Sequence, residues 1–299
     1  MINVYKVEKE DISEVSSFLS KLNKDSTSHI GYCGQDEKEV EEALREYIEE
    51  EGESSPFFIA RYKNKLVGVM GVDGDLESGN GELWGPFIEN VEERQWSDIA
   101  TMLWNSLFQE AHESIENYHM FINVKNKRCI SFAEENNFTF SEKDNLFKTL
   151  KLTKKDFNYD CDESIIEIND TFNKEMVSLH NNTFKKAYYS GERIIKRLNQ
   201  FRKVFVTIKE EKLLGYIYVE ADPEFSEASI EFFAVDEIYR GQGIGFKLIN
   251  KAINWIFTFP EIKEINLCVN SKNSAINLYK AVGFKEINEL AFYRKNRIN

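Results

Sequence analysis

Between Ser229 and Ile256 the apolar positions change period. Ile230, Phe232, Phe233, Ala234 and Val235 form a nearly unbroken apolar run of strand length. After a polar turn rich in glycine, Phe246, Leu248, Ile249, Ala252, Ile253 and Ile256 recur at helical spacing. The same alternation covers the whole second half of the chain. It predicts a strand at 164–168, a helical region at 171–200, a hairpin at 205–219 and a strand at 228–235. A helix at 246–257, a strand at 265–269, a helix at 274–281 and a strand at 286–294 follow. This order predicts an α/β fold, a mixed sheet flanked by helices.

The pattern occurs twice. Lys65-Leu66-Val67-Gly68-Val69-Met70-Gly71-Val72 mirrors Lys212-Leu213-Leu214-Gly215-Tyr216-Ile217-Tyr218-Val219. Each follows an apolar run across a polar turn, as a hairpin does. Further on, Cys129, Ile130, Ser131, Phe132 and Phe138 echo Ala275, Ile276, Asn277, Leu278 and Phe284 at a constant offset. Two copies of one unit are expected, a domain over 1–152 and a second over 162–299. The junction LTKKDFNYDCD has no Pro or Gly run, which implies two closely packed domains.

Composition narrows the class. A chain of 299 residues has room for two ordinary domains, and 42% apolar with 30% charged residues is a globular balance. No apolar run is long enough to span a bilayer, and the start MINVYKVEKE has no signal-peptide core. A cytoplasmic protein without a membrane partner is expected. Cys33, Cys129, Cys161 and Cys268 are scattered, so they read as reduced thiols rather than a disulfide frame or a metal site. The formal charge of −13 argues against nucleic acid and tilts toward a cationic substrate. Nothing in the composition speaks to oligomeric state.

The turn itself, Arg240-Gly241-Gln242-Gly243-Ile244-Gly245, carries the chemistry. Its glycines remove side chains where a helix leaves its first amides unpaired, which makes a ready site for a pyrophosphate. Their spacing is neither the dinucleotide fingerprint nor a Walker loop. The turn resembles motif A of the GCN5-related N-acetyltransferases, with Arg240, Gly243 and Gly245 in the defining places. The stretch VNSKNSAINLYKAVGF resembles that family's motif B through Ala275, Ile276, Leu278, Tyr279, Gly283 and Phe284. It departs in one place: Lys272 stands where the family has Asn, and Asn273 follows one residue later.

The resemblance implies two tandem acyltransferase domains and acetyl-CoA as co-substrate, with no metal. The pyrophosphate would lie on Arg240, Gly241, Gln242, Gly243, Ile244, Gly245 and Phe246. The pantetheine arm would run along Phe233, Ala234 and Val235, with Asn273 either holding it or capping its own helix. Tyr279 is implied as general acid for the departing thiolate, against a packing role beside Leu278. Glu231, on one strand face with Phe233, is implied as general base, against a solvated strand position. Glu220 and Asp222 are its rivals, Tyr188 and Tyr189 either line an acceptor pocket or pack, and His180 reads as structural. The implied activity is N-acetyl transfer to a small-molecule or peptide amine. Transfer of a longer acyl group, or CoA sensing without turnover, would use the same motifs.

In the first half, Arg94-Gln95-Trp96-Ser97-Asp98-Ile99 replaces the glycine turn and Ala133 replaces Tyr279. Trp96 and Asp98 would bring bulk and negative charge to the phosphate position. The first half therefore reads as a degenerate copy that kept the fold.

Overall fold

The computed structural model describes residues 2–51, 55–89, 91–140, 145–158, 164–185, 187 and 189–297. Cys161, Tyr188 and the expected domain start at Asp162 lie outside them. The chain divides into two compact units, one of Met1–Phe147 with Asn288–Asn299 and one of Lys148–Ile287.

The first unit runs β1 (Ile2–Lys6), α1 (Ile12–Asn23), α2 (Glu37–Arg45), β2 (Phe57–Tyr62), β3 (Lys65–Asp75) and β4 (Asn80–Ile88). It continues with α3 (Glu93–Glu110), β5 (Asn117–Asn123), α4 (Lys127–Glu135) and the start of β6 (Leu146–Thr153). The second unit holds β7 (Ile165–Glu167), α5 (Asn173–Thr183), α6 (Gly191–Arg197), β8 (Arg202–Lys209), β9 (Lys212–Asp222) and β10 (Glu227–Val235). After these come α7 (Ile244–Ile256), β11 (Glu264–Asn270), α8 (Ala275–Val282) and β12 (Lys285–Asn296). The mixed α/β pattern is the expected one, and the helical region at 171–200 resolves into α5 and α6.

The two hairpins are alike in detail. Lys63 and Asn64 turn β2 into β3 with φ of 49° and 65°, and Glu210 and Glu211 turn β8 into β9 with φ of 50° and 58°. Two successive left-handed residues match the twist of the flanking strands, so the connection stays tight. β3 and β9 each bury a run of seven residues, Leu66–Val72 and Leu213–Val219. In the first unit β1 to β5 lie in sequence order across the sheet, antiparallel except for β4 with β5.

One feature of the topology has no counterpart in the hydrophobic pattern. The end of β12 belongs to the first unit, where Leu290–Asn296 pairs antiparallel with Asn117–Asn123 of β5. Conversely, most of β6 belongs to the second unit, beside β11. Ala291 and Tyr293 of β12 join the first core, and Leu150 and Leu152 of β6 join the second. Each core is thus closed by a strand from the other half of the chain.

Candidate active site

β10 delivers the site. Phe232 and Ala234 point into the core with Tyr216 and Tyr218, which turns Phe233 and Val235 toward the opposite face. The register with β9 slips between Ile230 and Phe232, and Glu231 occupies that bulge. Such a bulge twists the strand and re-aims its side chains. β10 is the end strand of its sheet, and β11 belongs to a different one, so a gap opens between the two.

The turn beyond β10 is held by its own polar groups. The Asp236 carboxylate accepts from the Ile238 N–H at 3.0 Å, and the Arg240 Nε donates to the Val235 carbonyl at 3.1 Å. Gly241 and Gly243 have φ of 76° and 78°, and a Cβ on either would meet nothing within 4 Å. Glycine is required there by backbone conformation, and the loop face is left open. Gly245 serves another purpose, since a Cβ on it would come within 3.0 Å of Leu278 Cδ2. It lets α7 lie close to α8. From Ile244 onward α7 buries Leu248, Ile249, Ala252, Ile253 and Ile256 in the second core, so the helix start is fixed by packing.

A cleft of about 710 Å³ lies between β10, this turn, β11 and α8. It brings together Glu231, Phe233, Ala234, Val235, Arg240, Gly241, Gly243, Ile244, Gly245, Phe246, Asn273 and Tyr279. Gln242 alone of the expected residues is exposed and does not line it. Thr183 and Phe184 at the end of α5, and Cys268 on β11, also line it. Sequence reasoning passed these over, because nothing in the spacing of Thr183 or Phe184 ties α5 to the glycine turn.

Tyr279 is 7% exposed, wedged edge-on against Phe233 and Phe284 at 6.0 and 5.6 Å. Its hydroxyl makes no hydrogen bond to any described residue, yet the side chain lines the cleft. Buried phenols ordinarily find a partner, so an open hydroxyl at a cleft wall is a vacant donor. Burial pushes the phenol up to about 12, which keeps it protonated at neutral pH. The Asn273 Oδ1 accepts from the Ala275 N–H at 2.9 Å at the start of α8, while the side chain still faces the cleft.

The remaining candidates have structural partners. Glu220 accepts from Arg197 Nη2 at 2.8 Å, Arg202 Nε at 2.9 Å and the Tyr218 hydroxyl, outside the cleft. Asp222 accepts from the Phe225 N–H in an exposed turn. Tyr189 lies under the guanidiniums of Arg193 and Arg197, 4.9 and 4.3 Å from its centroid. His180 is fully buried; its Nε2 meets the Tyr189 carbonyl at 2.8 Å and its Nδ1 meets the Tyr216 hydroxyl at 2.5 Å. Since a carbonyl only accepts, Nε2 carries the proton and Nδ1 accepts from Tyr216. Desolvation holds this imidazole below the usual histidine range.

The first unit treats the same place differently. α3 begins at Glu93, and its Trp96 N–H already donates to the Glu92 carbonyl at 2.9 Å. Helix therefore runs through the positions that form the open turn in the second unit, and its amides are spent on the helix. Trp96 and the continuous helix take the place of the open turn, and Asp98 is exposed on that helix outside the remaining cavity. β4 reads Leu83-Trp84-Gly85-Pro86, where Pro86 has no N–H to offer. β4 pairs with β5 only from Asn80 to Glu82. Past that point the chain fills the edge of β5 itself: the Gly31 N–H donates to Phe121 O at 2.6 Å and the Asn123 N–H to His29 O at 3.1 Å. Ile30 between them is fully buried.

Among the described residues no group of three or more His, Cys, Asp or Glu is placed to hold a metal ion, and no helix is long and apolar enough to cross a membrane. Residues 168–284 match the model of the acetyltransferase (GNAT) family. Over 90 residues the chain is 31% identical to a spermine/spermidine N(1)-acetyltransferase of Bacillus subtilis. That match spans 59% of the relative and 28% of this chain. A GCN5-related N-acetyltransferase from Sphaerobacter thermophilus has a similar fold, with a TM-score of 0.64 at 12% identity over 99% of this chain and 96% of that one. A tandem GNAT protein from the clavulanic acid biosynthesis pathway gives 0.57 at 11% identity, covering 99% of each. With the glycine turn, the split sheet and the duplicated hairpins, residues 168–284 carry the acetyltransferase (GNAT) family pattern, and the chain as a whole has the fold of tandem GNAT proteins.

Proposed function

We propose that the chain moves an acetyl group from acetyl-CoA to a primary amine, using the second domain, expected over 162–299. The observation that carries this is the single cleft joining the open glycine turn, the end strand β10 and the Tyr279 hydroxyl, which has no hydrogen-bond partner among the described residues. The residues fit the co-substrate. Gly241 to Phe246 would hold its pyrophosphate on backbone amides at the start of α7. The backbone of Phe233, Ala234 and Val235 would pair with the pantetheine amides, as a strand edge pairs with an extended ligand. Acetyl-CoA supplies an activated thioester.

Glu231 is the candidate to take a proton from the incoming ammonium, directly or through a water. The amine nitrogen then bonds to the thioester carbonyl carbon, the carbon–sulfur bond breaks, and the nitrogen's surplus proton leaves with the thiolate as the CoA thiol. Tyr279 would stabilise the departing sulfur. With its phenol near 12 and an ordinary thiol near 8.5, complete proton transfer is uphill, so hydrogen-bond donation is its main contribution.

The acceptor we favour is a cationic amine of the polyamine class, supported by the chain's charge of −13 and by the match to the Bacillus subtilis enzyme. Thioester cleavage measured with spermidine, lysine, an aminoglycoside and a peptide N-terminus tests the reading. Amine-dependent release of CoA is expected, largest with spermidine. Tight CoA binding without turnover on any acceptor would favour a sensor, and faster turnover of a longer acyl-CoA would reassign the donor.

A further inference from the structure

The first unit keeps a cavity of about 430 Å³ next to the segment that fills its β5 edge. Its lining combines two chemistries: Leu22, Pro86, Ile88 and Trp96 are apolar, while Lys21, Lys125, Lys127 and Arg128 bring four cations. Asp25 is the one carboxylate among the lining residues, and it accepts from the Thr27 N–H and hydroxyl at 2.8 and 2.9 Å. A chain with a formal charge of −13 thus gathers a local positive excess here. Lys21, Lys125 and Lys127 have no ion-pair partner among the described residues, and Arg128 is braced by the Val91 carbonyl at 3.0 Å.

A second observation points the same way. Asn126 is 3% exposed and lines the cavity; its Oδ1 accepts from the Cys129 N–H at 3.2 Å. Its Nδ2 has no partner among the described residues. A buried amide with two unused donors, set between cations, is a place for acceptor oxygens. We infer that this cavity binds a small phosphate monoester, the phosphate on Asn126, Lys125, Lys127 and Arg128 and an apolar body against Trp96 and Ile88. A dianion suits an excess of cations, and charge-assisted hydrogen bonds to phosphate are stronger than neutral ones. The inference does not depend on the activity proposed for the second unit. The ligand would occupy what remains of a cofactor cleft after Trp96 and Ile30 have closed it.

The test uses the full-length Gly243→Asp variant, so that the second unit's glycine turn does not report, with phenyl phosphate and inorganic phosphate as probes. Calorimetry is expected to give one phenyl phosphate per chain, bound more tightly than inorganic phosphate. Adding Lys125→Glu and Lys127→Glu, both at exposed positions, should weaken it at least about tenfold, the scale of losing one charge-assisted contact, with Tm unchanged. No saturable binding, or affinity indifferent to the two charge reversals, overturns the site. Equal affinity for the two probes overturns its apolar half.

Discussion

Two copies of one fold run in parallel through the hairpin and then part at a single loop. β3 and β9 share length and a buried run of seven residues, β4 and β10 share length, and the β2–β3 and β8–β9 turns share their conformation. Past β10, Gly241 and Gly243 hold left-handed backbone and leave the start of α7 open. Past β4 the chain enters α3 at Glu93, and Trp96 covers the same region. The difference teaches that an anion site at a helix start is made by stopping the helix. Five more helical residues erase the site without disturbing the stripe Ile99, Leu103 and Leu107 that packs it. Backbone at Gly31 and His29 then takes the edge of β5 in the first unit, whereas β10 is the end strand of its sheet.

The largest expected effect breaks the open copy directly. Gly243→Asp sets a carboxylate on the helix start, where like charge repels a pyrophosphate. Its Cβ has open space, so the fold should survive with a modest cost from the positive φ. CoA affinity measured by calorimetry should fall below detection; unchanged affinity would remove the glycine turn from the cofactor site. Tyr279→Phe is next, and it probes the residue that Ala133 replaces in the closed copy. With chemistry rate-limiting, kcat should drop on the order of 10²-fold while CoA affinity holds, as for loss of one hydrogen-bond donor to a developing negative charge. An unaltered kcat would return Tyr279 to packing.

A chain beginning at Asp162 would sharpen the comparison in another way. It lacks β6, whose Leu150 and Leu152 are almost fully buried in the second core, each contributing about 1.5–3 kcal/mol. The shortened chain should unfold at markedly lower denaturant or stay insoluble, and a cooperative transition at the midpoint of the full chain would contradict this. The smallest effect concerns pH. Desolvation lowers the pKa of His180 in one unit and of His29 in the other. Unfolded histidine takes up a proton near pH 6.5, while these two keep the neutral form to lower pH in the fold. The unfolded state then binds more protons, so stability should decline as pH falls below about 6.5 and level off above it. Denaturant midpoints that rise toward pH 5.5 would refute that direction.

Most of this architecture was legible in the sequence for physical reasons. The switch from an apolar run to helical spacing at Ile230–Ile256 located β10, the turn and α7, because burial on one face dictates the period. Glycine at 241 and 243 announced a backbone that other residues avoid. The exchange of β6 and β12 was not legible, since a strand's pattern says which face is buried and not which neighbour it pairs with. The filling of the β5 edge by His29–Gly31 was equally silent, being made of backbone hydrogen bonds that no side chain encodes.

The central claim is that one copy is open to the cofactor and the other is closed. Titration of the full chain with acetyl-CoA tests it most directly, at high salt so that the exposed lysines of the first cavity are screened. One acetyl-CoA per chain is the expected result. Two equivalent sites, or a single site that persists in Gly243→Asp, would contradict it.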